Sequence, residues 1–354
     1  MRLLRSASSI SSALAAFALQ CLAAEPAKAP LETQSVLESV SNEIQGIFAR
    51  SRDAIVRIEA EDDGGAMAGT GFFIEPNGVL ITSYAVLGES EEIFAIIGDD
   101  RVPLKRLMAD RRSGIAILKA DTDKPTSFLR LGKANRLGIG AMVIAIGYPL
   151  EFPLSPSFGV VSGFDMGHGG RFFAARHIRA TAPVQRGQGG APLMNARGEV
   201  AGVIISTLEN GAGLFALPGE AVDKVYHDFL AHGRIRQGWL GADVRLTDAP
   251  EHGSSIRVRN LRLNGPGYGG GLRPGDVLIQ VGEWKITAPE DVLNASFYVQ
   301  PEEPLDVLVS RAGKRLTLKI TPGESPTGTG ATPSTGEDLL NTGEQAGLQL
   351  GNQK

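Results

Sequence analysis

The residues best placed to do chemistry converge on Thr181–Ser206, TAPVQRGQGGAPLMNARGEVAGVIIS. A glycine-rich loop, Arg186-Gly187-Gln188-Gly189-Gly190, runs into Ala191-Pro192-Leu193-Met194, then a polar turn Asn195-Ala196-Arg197-Gly198, then the apolar run from Val200 to Ile205. The pattern reads as strand, turn and strand behind a loop whose glycines adopt backbone shapes that other residues resist. Such a loop can aim the N–H groups of Gly187, Gly189 and Gly190 at one point, which is how an oxyanion hole is built. Acyl transfer also needs a nucleophile at the apex, and Gly187-Gln188-Gly189-Gly190 offers no Ser, Thr or Cys. The stretch is therefore either a former active site or a plain connecting loop.

Composition narrows the setting. The chain has 354 residues, a formal net charge of −4 and 45 glycines with 20 prolines, favouring short strands and many turns. That length suits roughly two domains. An acidic balance without a basic stripe argues against nucleic-acid binding. Arg2 and Arg5 precede an apolar segment, Ile10–Leu22, that ends in Ala23-Ala24. Residues 1–24 thus read as a secretory signal peptide, too short in its apolar part for a membrane anchor. Its removal makes the mature chain more acidic and takes away Cys21, the single cysteine. No disulfide, thiol nucleophile or cysteine metal site remains; no metal and no cofactor is expected, nor a transmembrane span in the mature form.

The elements that would position the loop follow in order. Residues 25–53 read as a leader and an amphipathic helix over 34–51, with Val36, Leu37, Val40, Ile44, Ile47 and Phe48 at helical spacing. This helix either packs on the next domain or makes a subunit contact. From Ala54 the period becomes that of strands: 54–60, 71–74, 79–82, 93–97, 115–119, 141–146, 159–162, 176–180 and 200–205, the second and third joined by Asn77-Gly78. Many short strands without helices between them indicate an all-β barrel or sandwich. A helix after Pro218 carries Ala221, Val225, Phe229 and Leu230 on one face, with His227 and His232 as surface residues. A second unit has strands at 255–258, 277–281, 305–310 and 316–320 around a helix over 288–299. Thr287-Ala288-Pro289-Glu290 starts that helix as a capping box. Residues 323–354, rich in Gly, Thr, Ser, Pro and Glu, read as a disordered tail.

These phrases resemble a known family. Gly69-Thr70-Gly71-Phe72-Phe73-Ile74 with Gly78-Val79-Leu80-Ile81-Thr82 resembles the barrel start of the HtrA (Deg) proteases, trypsin-like serine proteases of the bacterial envelope with C-terminal PDZ domains. Gly147-Tyr148-Pro149-Leu150, Gly159-Val160-Val161-Ser162 and Leu214-Phe215-Ala216-Leu217-Pro218 fall where that family has similar runs. Gly238-Trp239-Leu240-Gly241 and Gly271-Leu272-Arg273-Pro274-Gly275-Asp276-Val277-Leu278 resemble its PDZ start and a later turn. The resemblance implies a mainly β fold: a trypsin-like double β-barrel over 54–233, followed by one PDZ domain over 236–322. It also implies secretion across the inner membrane to the periplasm, and the trimers common in the family.

The family's catalysis uses a Ser to attack, a His to take its proton and an Asp to orient the His. The resemblance places these at Gly189, Ala85 and Gly114, so all three side chains are missing. Neighbours do not replace them. Tyr84 is a phenol that stays protonated near neutral pH, Ser113 offers a hydroxyl where a carboxylate belongs, and Gln188 is no nucleophile. Asp99 and Asp110 read as turn residues. The histidines at 168, 177, 227, 232 and 252 all follow the first barrel, which should supply the base. An oxyanion hole without a triad retains roughly 10³–10⁴-fold acceleration over water, too little for peptide hydrolysis. The expectation is a pseudoprotease acting as a holdase, scaffold or regulator, whose partners are peptides, protein C-termini or active HtrA-type relatives. The alternative is an active trypsin-like endopeptidase of protein quality control with unrecognised catalytic residues. By resemblance, a peptide C-terminus would be held by Gly238, Trp239, Leu240 and Gly241, pairing beside Ala242, Asp243 and Val244. Val292, Ala295, Ser296 and Val299 would form the opposite wall, and Arg234 and Arg236 could add charge. Asn264–Gly271 holds so many glycines that a helix there is not expected. Trp239 and Trp284 read equally well as core.

Overall fold

The computed structural model describes residues 31–62, 65–122, 124–133, 137–168, 171–208, 212–249 and 253–324. The signal-peptide segment, Cys21, His252 and all but the first two residues of the tail lie outside them. The chain divides into two units, one ending at Gly46 and one beginning at Ile47. The first helix, α1 (Leu31–Ser51), confirms the helical periodicity and runs through that boundary. In its first part Val36 and Leu37 are exposed, whereas Ile47 is buried. Among the described residues no helix is long and apolar enough to cross a membrane.

Two closed barrels of six strands make up most of the second unit. The first holds β1 (Ile55–Asp62), β2 (Gly65–Phe73), β3 (Val79–Ser83), β4 (Glu92–Ile97), β5 (Asp100–Asp110) and β6 (Ile115–Ala120), ordered β1-β2-β3-β6-β5-β4. A single helical turn, α2 (Tyr84–Leu87), follows β3. The second holds β7 (Met142–Gly147), β8 (Ser155–His168), β9 (Arg171–Ala180), β10 (Pro192–Asn195), β11 (Val200–Thr207) and β12 (Leu214–Pro218), ordered β10-β11-β12-β9-β8-β7. Alternation of apolar and polar residues fills each interior. Ile58, Leu80, Ile93 and Leu118 lie in one core and Val143, Val161, Ile178 and Leu193 in the other. Each such fully buried side chain contributes about 1.5–3 kcal/mol. Closure leaves no open edge, and the expected mainly β double barrel is what forms.

Strand β5 was not anticipated. Its sequence DRVPLKRLMAD is charged, carries Pro103 and buries only Leu104 fully. Its place is fixed by pairing with β4 on one side and β6 on the other, a non-local demand of closure. Strand β8 outruns the expected 159–162 because it pairs with β7 through Ser155–Val160 and with β9 from Val161 to His168.

Helix α3 (Gly219–His232) buries Ala221, Val222 and Val225 and ends at Gly233 with φ 69°, the left-handed cap that glycine accepts without strain. Beyond it come β13 (Gly238–Trp239), β14 (Ala242–Ala249), β15 (Gly253–Leu261), α4 (Pro266–Gly269), β16 (Val277–Val281), β17 (Trp284–Lys285), α5 (Pro289–Tyr298), β18 (Leu305–Arg311), β19 (Lys314–Ile320) and β20 (Gly323–Glu324). The sheet runs β14-β15-β16-β18-β19, so β14 is an edge strand.

Three expectations need correction here. A helical turn does form at Pro266–Gly269, because its glycines serve close packing. A Cβ on Gly267 would stand 2.7 Å from the Leu240 carbonyl, and one on Gly270 2.7 Å from Ile320. The start of helix α5 is capped by Asp291, not Glu290: its carboxylate accepts from the N–H groups of Thr287 (2.7 Å) and Ala288 (2.9 Å) and from the Thr287 hydroxyl (2.7 Å). The tail begins in order, since Gly323–Glu324 pairs with Gly238–Trp239.

Asp276 ties this last sheet together. It is buried, and burial alone would raise its pKa. The Arg311 guanidinium, at 2.7 and 2.8 Å, and the Arg273 N–H, at 2.9 Å, outweigh that and hold the carboxyl below the usual range. A carboxylate with a lowered native pKa adds stability above its unfolded-state pKa, about 4, and gives it up as pH falls through the native value. Thermal melts from pH 6 to pH 2 should show this acid-side loss in the native chain and a smaller one in Arg311→Gln. An identical acid slope in both would refute the assignment.

Candidate functional site

The glycine-rich loop is fastened to the first barrel through one residue. Thr70, fully buried, donates from N to the Gly189 carbonyl (2.9 Å) and from Oγ1 to the Gly187 carbonyl (2.7 Å). Its own carbonyl accepts from Thr82 Oγ1 at 2.8 Å, and its Oγ1 accepts from Tyr148 N at 3.1 Å. On the other side Gly190 N donates to the Ile204 carbonyl at 2.8 Å. With their carbonyls turned to Thr70, Gly187 and Gly189 keep N–H groups that take no backbone partner among the described residues. Gly190 does not, so the expected set of three free donors is reduced to two.

The loop's glycines are not equivalent. Gly187 (φ 91°) and Gly190 (φ 79°) are in the left-handed region, and a Cβ on either would overlap neighbouring atoms, the Tyr148 carbonyl or Thr82 and Thr70. Gly189 has no such constraint. A Cβ there would meet Val86 Cγ2 at 3.3 Å and Ser83 Oγ at 3.4 Å, a tight but ordinary fit. Gln188 is buried, its Oε1 accepting from Gln185 N at 2.8 Å and its Nε2 left without a partner. It braces the loop from inside.

The three positions singled out from sequence share one neighbourhood. Gly189 lies against Ser83 and Val86, on either side of Tyr84 and Ala85. Tyr84 N donates to the Gly114 carbonyl at 2.7 Å. Ala85 and Gly114 line a cleft of about 560 Å³ that also takes in Arg111, His168, Phe173, His177 and Ser206. Gly114 is held at φ 76°, and a Cβ there would stand 2.7 Å from Ile205 Cγ2. Sequence reasoning overlooked Ile205, which was visible only as the last residue of an apolar run. Folding places its methyl in the space a carboxylate at 114 would need.

The neighbouring residues behave as turn and surface groups. Asp110 accepts from Ser113 N at 2.7 Å, and Asp99 sits in the turn between β4 and β5. Tyr84 donates its hydroxyl to Glu89 at 2.6 Å, a bond that with burial raises its pKa. His227 is exposed beside Asp223, and His232 is exposed at the end of α3. His177, by contrast, is buried and stacks on Phe173 at 4.1 Å. Burial lowers its pKa to about 4 against a smaller opposing bond from Nδ1 to the Ala175 carbonyl (2.8 Å). It is neutral at pH 7, and among the described residues its ring bonds to the Ala175 carbonyl and to no carboxylate.

In the C-terminal sheet the loop Gly238–Gly241 sits between edge strand β14 and helix α5. Its carbonyls are used: Leu240 O accepts from Gly267 N (2.7 Å) and Gly241 O from Arg262 N (2.8 Å). The N–H groups of Leu240 and Gly241 take no backbone partner among the described residues. Trp239 lies half-buried under the Arg262 guanidinium, and Trp284 stacks on Tyr298 at 4.4 Å. Along α5, Val292, Ser296 and Val299 retain partial exposure at helical spacing. Ala295 is fully buried in the core beneath and cannot wall an open groove. Ser296 donates its hydroxyl to the Gly238 carbonyl, and Val299 packs against Gly238. Arg234 and Arg236 are not spare charge: Arg234 pairs with Glu324, and Arg236 lies 3.3 Å from Glu302. Among the described residues no cluster of His, Cys, Asp and Glu could hold a metal ion.

Residues 69–203 match the family model of the trypsin-like peptidase domain. A probable periplasmic serine endoprotease, DegP-like, of Ectopseudomonas mendocina is 29% identical over 291 residues, covering 79% of this chain and 60% of that protein. Its counterpart in Bartonella henselae is 29% identical over 267 residues, covering 71% and 52%. The chain thus spans between half and two thirds of the length of these curated relatives. Among solved structures, the HtrA-type protease AlgW with a tripeptide superposes with a TM-score of 0.67 at 22% identity, over 82% of this chain and 99% of that one. The serine endoprotease from Yersinia pestis gives 0.57 at 23% identity, over 80% and 98%.

Two measurements probe the cleft. Gly114→Asp should lower the thermal midpoint by several degrees, since overpacking costs about 1–3 kcal/mol before the strain at φ 76° is added. Ile205→Ala should restore part of that loss in the double variant, and purely additive effects would refute the clash. His177 binds its proton more weakly folded than unfolded, so stability should fall as pH drops from about 6.5 to about 4. His177→Phe should flatten that limb; an unchanged limb rules His177 out as its source.

Proposed function

We propose that this chain, whose matches support a place among the HtrA/DegP-like trypsin-like serine proteases, is a non-catalytic member that binds peptides or unfolded proteins in the periplasm. The observation that carries the reading is the occupancy of one cleft. The positions matched to base and acid, Ala85 and Gly114, line it, the position matched to the nucleophile, Gly189, lies beside it against Ser83 and Val86, and the Ile205 methyl stands where the acid's side chain would go. Without a proton acceptor, its orienting carboxylate or a nucleophile, the free N–H groups of Gly187 and Gly189 can polarise a carbonyl or hold a carboxylate but cannot cleave it. Residues 1–24 act as the signal peptide that exports the chain.

The second binding element is the C-terminal unit, read as a PDZ domain over 236–322. Leu240 and Gly241 offer two free N–H groups for a terminal carboxylate, and edge strand β14 can receive the peptide as an added strand, with Val292 and Ser296 opposite. Curated relatives carry periplasmic serine endoprotease in their names, and HtrA-type structures have been solved with a tripeptide and a decapeptide. Those likenesses support the location and the ligand class. Partners are protein C-termini and active relatives in mixed or homotrimeric assemblies, in which the chain serves as holdase, scaffold or regulator.

A second reading has one observation in its favour: His177 and Ser206 line the same cleft. A fluorophosphonate that labels Ser206, with the label abolished by His177→Gln, would establish a relocated endopeptidase. The non-catalytic reading expects neither labelling nor cleavage of unfolded casein by protein purified free of host proteases. Cleavage that co-purifies with the chain through successive columns sinks it. For the C-terminal groove, peptides with a free carboxylate should bind at least tenfold more tightly than their amides, and Val292→Lys should remove the difference. Equal binding of acid and amide would discard that groove.

A further inference from the structure

The cleft around Ala85 and Gly114 has a chemistry of its own. In a chain of net charge −4, its described lining includes Arg111, Arg112 and two histidines, and no carboxylate. The acids around it face other partners: Glu89 accepts from the Tyr84 hydroxyl, Asp110 accepts from Ser113 N while drawing on Arg112, and Asp165, across the ladder from His177, pairs with Arg179. Arg111 is exposed at the rim and forms no ion pair among the described residues. Opposite the rim is an aromatic shelf. Phe173 stacks on His177 at 4.1 Å and leans on Phe215 at 5.2 Å, and exposed His168 lies 5.2 Å from the same Phe215 ring. Phe173 and His168 keep accessible surface, whereas Phe215 is buried behind them. A half-open aromatic face and an exposed cation lining one cleft suit a ligand that brings an apolar ring and a negative charge together.

Resting on the reading of this cleft as non-catalytic, we propose that it binds extended peptide segments in which an aromatic residue adjoins an acidic one. The ring lies on Phe173, backed by buried His177, and the carboxylate faces Arg111. Gly189, which lies against Ser83 and Val86 on either side of Ala85, offers its N–H group to the peptide backbone. The site recognises internal segments and needs no chain terminus, unlike the groove beside β14.

Fluorescently labelled decapeptides with amidated C-termini, in a Gly-Ser background, test this on the full chain, since the amide removes the terminal carboxylate the C-terminal loop would hold. A central Phe-Asp should bind about fivefold more tightly than Phe-Lys, the scale of one partly exposed ion pair, and more tightly than Ala-Asp. Arg111→Glu should invert the preference between Phe-Asp and Phe-Lys, and Phe173→Ala should abolish that between Phe-Asp and Ala-Asp. Because the inversion is read on a second ligand, a merely misfolded variant cannot mimic it. Equal affinity for Phe-Asp and Phe-Lys, no binding of either, or an unchanged order in Arg111→Glu would overturn the proposal. Cleavage of a probe would instead overturn the non-catalytic reading while leaving the Phe-Asp preference measurable as a ratio of kcat/KM values.

Discussion

Thr70 is the joint on which the arrangement depends. A buried threonine on β2 gives both its donors to the loop that lies between the barrels, receives a third bond from Tyr148 and is itself anchored by Thr82. Buried polar groups are costly unless paired, so a residue fully paired across three segments fixes all of them at once. The carbonyls of Gly187 and Gly189 point at Thr70, and their N–H groups take no backbone partner among the described residues. The loop's potential to hold an anion or a carbonyl is thus a consequence of how two barrels are fastened, and it does not require a catalytic serine.

The same joint explains why the glycines of the loop carry different meaning. Gly187 and Gly190 are demanded by backbone conformation and by close contacts, whereas Gly189 is not. A Cβ at 189 would meet only the Val86 and Ser83 side chains, at 3.3 and 3.4 Å, and no backbone atom. An aspartate at 114 would meet Ile205 at a backbone φ that side chains avoid. The site is thus crowded at 114, where a Cβ would stand 2.7 Å from Ile205, and less so at 189. Around it the second barrel contributes aromatic rings and a buried neutral histidine, and the first contributes arginines. That surface is better suited to gripping a side chain than to moving a proton.

The C-terminal sheet and the second barrel meet through strand β9. Arg176, next to His177, donates from its backbone N to Asn294 at 2.8 Å and pairs through its guanidinium with Asp291, the capping residue of α5. A lone buried carboxylate would be raised in pKa; here Thr287, Ala288 and Arg176 together keep Asp291 below the ordinary range. One carboxylate thus both starts a helix and holds that helix to the barrel.

The sequence by itself determined the fold class and the glycine-rich loop, and it shows Gly189, Ala85 and Gly114 where the family resemblance would place Ser, His and Asp. Alternating apolar residues and Asn77-Gly78 are local signals, and a missing side chain needs no folding to be seen. It could not show β5, whose charged and proline-bearing run is a strand only because a barrel must close between β4 and β6. Nor could it show that the glycines of 266–271 form a turn of helix, since propensity argues against one and only the proximity of Leu240 and Ile320 calls for it. Ile205 beside Gly114, the salt bridges that occupy Arg234 and Arg236, and the meeting in one cleft of Arg111 and an aromatic shelf about 60 residues away in sequence are likewise products of tertiary structure. Each depends on atoms brought together across long sequence separations, where local pattern carries no information.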